Sequence, residues 1–279
     1  SDIKLSLAQW SLHRAFETGR LDPIDFAAIA KKEYQIEAVE YVNSFYKDKG
    51  SNESFWQMMK MRSDEIGVKN LLIMVDDEGD LGDADDQNRQ TAVANHYKWI
   101  HAAKTMECHS IRVNAFGADN STIFKNALTD GLTKLSTYAA QENINILIEN
   151  HGLFSSNAPL IVEIIKAINL PNLGTLPDFG NWCLSAKWGS TQDGSCLESY
   201  DLYKGVEEFL PYAKGVSAKS YNFDKNGLHR NFDFQKMLTL VKNAHYDGHI
   251  GIEYEGTVLG EPEGIRATKA HLEQVWSHL

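Results

Sequence analysis

Cysteine is scarce in this sequence: 279 residues carry three, Cys108, Cys183 and Cys196, with no CxxC pair and no regular spacing. So sparse and odd a set leads to the expectation of free thiols, with one disulfide left open. Long hydrophobic runs are missing too, and nothing approaches the ~20 apolar residues that a membrane helix needs. Positive charge is in deficit, with 27 Lys and Arg against 38 Asp and Glu and a formal net charge of −11. A surface of that sign repels phosphate backbones and anionic headgroups, so neither nucleic acid nor membrane is an expected partner. No GxGxxG and no Walker-type loop is present, which argues against an open doubly wound nucleotide-binding sheet. No Pro/Ser-rich linker interrupts the chain, so residues 1–279 are expected to form one domain. The opening Ser1-Asp2-Ile3-Lys4 has no signal-peptide core, and the compartment is left open between cytoplasm and periplasm.

What is present is a rhythm. Short apolar runs occur at Lys4–Gln9, Ala38–Asn43, Asn70–Val75, Ser110–Ala115, Asn145–Asn150, Gly174–Asp178, Gly215–Lys219 and His249–Tyr254. Their centres lie roughly 28–41 residues apart, the size of a strand plus crossover helix. Helical patterns fill the gaps at Asp22–Lys32, Asn52–Ile66, Asp86–Thr105, Ser121–Gln141, Asn157–Ile168, Ser199–Tyr212, Asp233–His245 and Glu263–Leu279. Asp22 before Pro23 and Asn157 before Pro159 suit helix starts, while Gly67 and Gly248 suit helix ends. Eight strands alternating with eight helices predict an α/β fold, a single (β/α)8 TIM barrel. The acidic stretch Asp76–Asp86 reads as a long solvated loop on its top face.

In such barrels chemistry sits where strands end and the following loops begin. Strand five ends on Glu149, Asn150 and His151, strand six on Asp178 with Asn181 beyond, and strand eight on Glu253 and Glu255. Side chains alternate faces along a strand. If Val216 and Ala218, like Ile250 and Ile252, meet the helices, then Ser217, Lys219 and Glu253 point into the mouth. Glu149, Asp178 and Glu253 then converge, at a high cost unless compensated. A divalent cation with oxygen ligands would compensate them, Mn²⁺ or Mg²⁺ first and Co²⁺ or Zn²⁺ after. Lys219 and Arg112 acting as a structural charge cluster would do so as well, and spacing alone does not separate the two. Gln9, Trp10, His13, Trp182 and Trp188 lie at or after strand ends, where aromatic faces suit a sugar ring. Histidines on the helical patterns, such as His96 and His271, read as packing residues.

The motifs VEYVN, IMVDDEG, IRVNAFG, IENHG, LPDFGN and IGIEYEG fall in order on strands two, three, four, five, six and eight. In them the chain resembles the xylose-isomerase-like TIM-barrel superfamily, in its sugar phosphate isomerase/epimerase branch. The resemblance implies one divalent metal on Glu149, Asp178 and Glu253. The family's strand-seven histidine is here Ser217, and the histidine that often follows the Asp-Phe-Gly turn is Asn181. It further implies an enzyme, a sugar isomerase or epimerase working through an enediolate. Glu149 and Glu253 would move the proton and Lys219 would steady the developing oxyanion. His151, Asn181, Trp10, Gln9 and His13 are the expected substrate contacts, and the expected partner is a small carbohydrate; self-association is left open. The alternatives are a lyase or dehydratase on a keto-sugar or keto-glycoside, a sugar-binding barrel without chemistry, and, last, an endonuclease-IV-like nuclease.

Overall fold

The structure is a computed structural model that describes residues 2–279. Eight parallel strands follow one another around a curled sheet: β1 (Leu5–Ala8), β2 (Ala38–Val42), β3 (Lys69–Met74), β4 (Ser110–Asn114), β5 (Asn145–Glu149), β6 (Leu173–Leu176), β7 (Val216–Ser220) and β8 (Ile250–Tyr254). β8 pairs with β1 as well as with β7. The ring closes between β6 and β7 through two isolated parallel bridges, Thr175–Ala213 and Asp178–Ser217. The helices are α1 (His13–Glu17), α2 (Phe26–Tyr34), α3 (Glu53–Ile66), α4 (Asp86–Thr105), α5 (Ser121–Gln141), α6 (Ala158–Ile168), α7 (Leu202–Phe209), α8 (Phe234–Asn243) and α9 (Glu261–Ser277). This is the (β/α)8 TIM barrel that the rhythm of the sequence predicts. Among the described residues, no helix is long and apolar enough to cross a membrane.

Local chemistry explains most boundaries. The carboxylate of Asp22 accepts from Ile24 N, and the Asn157 amide oxygen from Leu160 N, so both are caps as expected. Gly67 ends α3 in the left-handed region at φ 71°. Gly248 does not play that part for α8. The helix stops at Asn243, short of the expected His245, and His245 itself takes the left-handed turn at φ 57°. Strand six is also shorter than its motif, because Pro177 has no N–H to extend the ladder.

The cysteine expectation is corrected. Cys183 and Cys196 form a disulfide, and only Cys108 stays free, buried in the core. Counting could not pair them; the loop between β6 and α7 doubles back until their Cα atoms lie 5.8 Å apart, within bridging range.

Most of the apolar core lies between sheet and helices. A second, small cluster fills the barrel itself, from Ala8, Ala38, Val42, Leu72, Met74, Leu147 and Leu176. Glu40 also lies inside the barrel, 1% exposed, in space left by Gly251. Ser6 donates to its Oε2 at 3.0 Å, and Oε1 has no partner. Burial pushes this carboxyl from 4.5 up to about 7, against the opposing pull of Ser6 and Arg112. Between those values the folded state holds a proton that the unfolded chain has lost, so stability falls as pH rises through the window. Glu40→Gln is therefore expected to gain ~3 kcal/mol over the parent at pH 8 relative to pH 4. Urea unfolding at the two pH values checks this, and a pH-independent difference would refute it.

Candidate active site

Alternation along the strands decides which polar groups share the mouth. Leu147 and Glu149 face inward together, as do Ser217 and Lys219, while Ile250 and Ile252 turn to the helices and send Glu253 in. On β4 the same parity sends Arg112 and Asn114 inward. One ligand oxygen from each of Glu149, Asp178 and Glu253 lies within 4.8 Å of the others, all three side chains being buried. The expected convergence of the three acids is what the fold produces.

Two cations meet these acids. Arg112, 3% exposed, brings Nε to 2.7 Å from Glu149 Oε1 and donates from Nη1 to Asp76 Oδ1 at 2.8 Å. Lys219, 1% exposed, sets its Nζ 3.3 Å from Asp178 Oδ2, 3.2 Å from Glu253 Oε1 and 2.8 Å from Glu255 Oε1. It also donates to Asn181 Oδ1 at 2.8 Å. Yet Glu149 Oε1 and Asp178 Oδ2 accept no hydrogen bond, since the nearby cation N–H groups are not aligned on them. The other Asp178 oxygen accepts from the backbone N–H of Gly180 and Asn181, which fixes the carboxylate's direction. Three buried carboxylates with ligand oxygens this close, two of them with an oxygen that accepts no aligned hydrogen bond, suit a hard cation that takes oxygen ligands. The residues present could hold a metal ion.

The charges shift one another. Burial raises the Glu149 carboxyl well above its ordinary value despite Arg112. Burial likewise pushes Glu253 up to about 8, with Lys219 opposing. Burial also acts against the Lys219 ammonium, but Asp178, Glu255 and Glu253 outweigh it and hold its pKa well above the usual range. Burial first, and then Arg112, hold the His151 imidazole pKa well below its usual range. Its Nδ1–H donates to Asn114 Oδ1 at 2.6 Å, an assignment that an amide oxygen acceptor requires.

A cavity of about 400 Å³ opens over this cluster, lined in part by Trp10, Asp76, Arg112, His151, Asn181, Trp188, Glu253 and Glu255. Trp10, His151 and Asn181, three of the expected substrate contacts, thus line the cavity. Gln9 and His13 do not line it. Gln9 is fully buried, donating to Tyr46 Oη at 2.8 Å and accepting from Val42 N at 2.8 Å, so its amide ties the end of β1 to β2 and to the turn that follows it. His13 stacks on Trp10 with centroids 4.3 Å apart and donates from Nδ1 to Trp10 O, which makes it a support for that wall. Sequence reasoning passed over Asp76, which looks like part of the solvated acidic loop but is held by Arg112 and Asn114 at the mouth. The inward parity of Arg112 and Asn114 was the available signal. Trp188 reaches the cavity from the disulfide-closed loop, packed edge-on against His151 and Phe116. Gly152 allows that approach, because a Cβ there would lie 2.0 Å from Ala186 O.

A family model described as xylose isomerase-like TIM barrel matches residues 27–275. No curated protein sequence matches the chain. Among solved structures, a D-tagatose 3-epimerase-like protein is 18% identical, with TM-score 0.73, over 99% of this chain and 98% of its own. D-Psicose 3-epimerase from Clostridium cellulolyticum H10, solved with D-tagatose, is 11% identical, with TM-score 0.72, over 99% and 98%. The IOLI protein with a bound zinc atom is 14% identical, with TM-score 0.70, over 99% of both chains. At such identities the likeness to these structures concerns the fold.

Proposed function

The chain belongs to the xylose isomerase-like TIM barrel family, and on that premise we propose that it is a metal-dependent isomerase or epimerase of a small sugar or sugar derivative. The observation that carries this reading is the buried meeting of Glu149, Asp178 and Glu253, two of which keep an oxygen that accepts no aligned hydrogen bond. These three would hold the ion, and an all-oxygen donor set favours Mn²⁺ or Mg²⁺ over softer metals. When bound, the metal would supply Lewis-acid polarisation of a carbonyl and the hydroxyl next to it.

The remaining steps belong to the chain's own residues. Trp10 and Trp188 offer aromatic faces to the C–H side of a sugar ring, and the neutral His151 and Asn181 offer hydrogen bonds to its hydroxyls. Glu149 on β5 and Glu253 on β8 stand on different sides of the mouth, so a carbon between them shows one face to each. One, as carboxylate, takes the proton from the carbon next to the carbonyl, and the other, as carboxylic acid, gives its own proton to the opposite face of that carbon, which inverts the centre. The Lys219 ammonium donates to the oxygen that gains charge on the way. Of the two compartments left open by the sequence, the Cys183–Cys196 disulfide favours the oxidising periplasm.

The test is a panel of free and keto sugars incubated in D₂O with protein reconstituted with Mn²⁺ or Mg²⁺, and followed by NMR. Deuterium is expected at the carbon next to the carbonyl of the substrate, along with its epimer or isomer. No exchange into any ketose, from protein that also retains no divalent metal, would sink the reading.

A further inference from the structure

One cation in the mouth is not explained by a metal site. Lys219 is fully sheltered, and its Nζ already touches oxygens of two of the three ligand residues, Asp178 at 3.3 Å and Glu253 at 3.2 Å. Any ion bound ~2.0–2.6 Å from those oxygens would stand beside the ammonium with like charge. Strand seven offers no compensating ligand. Ser217, one inward position below Lys219, donates from Oγ to Glu253 Oε1 at 3.4 Å. Yet the lysine is not confined to the ligand oxygens. Its two shortest contacts, both 2.8 Å, are to Asn181 Oδ1 and to Glu255 Oε1, and Glu255 lies at the more open rim.

The geometry points to Lys219 as a built-in counter-cation that competes with the metal. Without metal, its ammonium bridges Asp178 and Glu253 and keeps the buried acids balanced. When metal enters, the ammonium withdraws toward Glu255 and Asn181, which are already bonded to it and face the substrate space. The withdrawn position also suits the oxyanion role above. This inference rests on the metal reading of Glu149, Asp178 and Glu253. It makes metal binding weak and reversible, and leaves the metal-free protein folded.

Titration with Mn²⁺, followed by the paramagnetic resonance of the free ion, tests it on the whole chain. Lys219→Met is expected to bind Mn²⁺ at least ~10-fold more tightly than the parent, because the competing charge is gone. Lys219→Arg, which keeps the charge, should show no gain. Metal-free Lys219→Met should also melt below the parent and recover on adding Mn²⁺. Equal or weaker Mn²⁺ binding by Lys219→Met, with normal binding by the parent, overturns the competition and leaves the metal reading standing. Mn²⁺ binding to neither protein overturns both. If Lys219→Met does not fold even with Mn²⁺, Glu255→Gln decides the matter. Losing the outer partner holds the ammonium inward, so Mn²⁺ affinity should fall at least ~3-fold, and an unchanged affinity overturns the proposal.

Discussion

Glu253→Gln is expected to keep substrate binding and lose turnover by ~10²–10⁴-fold, the usual share of a proton-transfer residue. Gln preserves the shape and one oxygen of the side chain, but it can neither take nor return a proton. Glu149→Gln should act similarly from the other side of the mouth, with one difference. It also leaves Arg112 without the carboxylate at 2.7 Å, so some of its loss will come from misplaced charge. Metal content of each variant separates a lost ligand from a lost base: a variant that retains the ion but no longer exchanges the substrate C–H has lost proton transfer. If both variants exchange that hydrogen at the parent's rate, the two-glutamate mechanism is wrong. His151, which lines the cavity, and Lys219 would then be the groups to examine.

The second large effect concerns stability. Arg112→Met is expected to cost ~3–5 kcal/mol, because removing one partner strands the other's charge in the interior. Arg112 also donates from Nη1 to Val75 O at 3.0 Å and to Asp76 at 2.8 Å. Its loss therefore loosens the strand-three end of the mouth as well as Glu149. Adding Glu149→Gln to Arg112→Met should recover a good part of the loss, since the stranded carboxylate is then neutral. Urea unfolding of the single and double variants measures the coupling. A single-variant loss below ~1 kcal/mol would show that the pair is solvated, and that the charges at the mouth are not buried.

Both effects come from residues whose places were readable to different degrees. Glu149 and Glu253 were readable because a strand's side chains alternate strictly and a barrel carries its chemistry at strand ends, and Asp178 because it follows the end of strand six. Lys219 was readable for the same reason, since Val216 and Ala218 declare the helix-facing side of its strand. Arg112 obeys the same parity in IRVN, yet a lone inward arginine does not say which acid it meets. Its partners Asp76 and Glu149 are 36 and 37 positions away in the numbering of the chain.

The periodic features are written in the order of residues: eight apolar runs of strand length, the helices between them, and hence the barrel and the ring of acids at its mouth. These follow from local hydrophobic pattern and backbone geometry, which each segment carries within itself. Tertiary structure alone decided the pairings. It closed Cys183 onto Cys196, drew Asp76 out of an acidic loop and into the site, and set Lys219 among four polar partners. It also turned Gln9, a polar residue at a strand end, into a brace between strands. Each of these depends on where a side chain from another segment finally lies, and a buried polar group is committed to whichever partner the packing brings within hydrogen-bond reach.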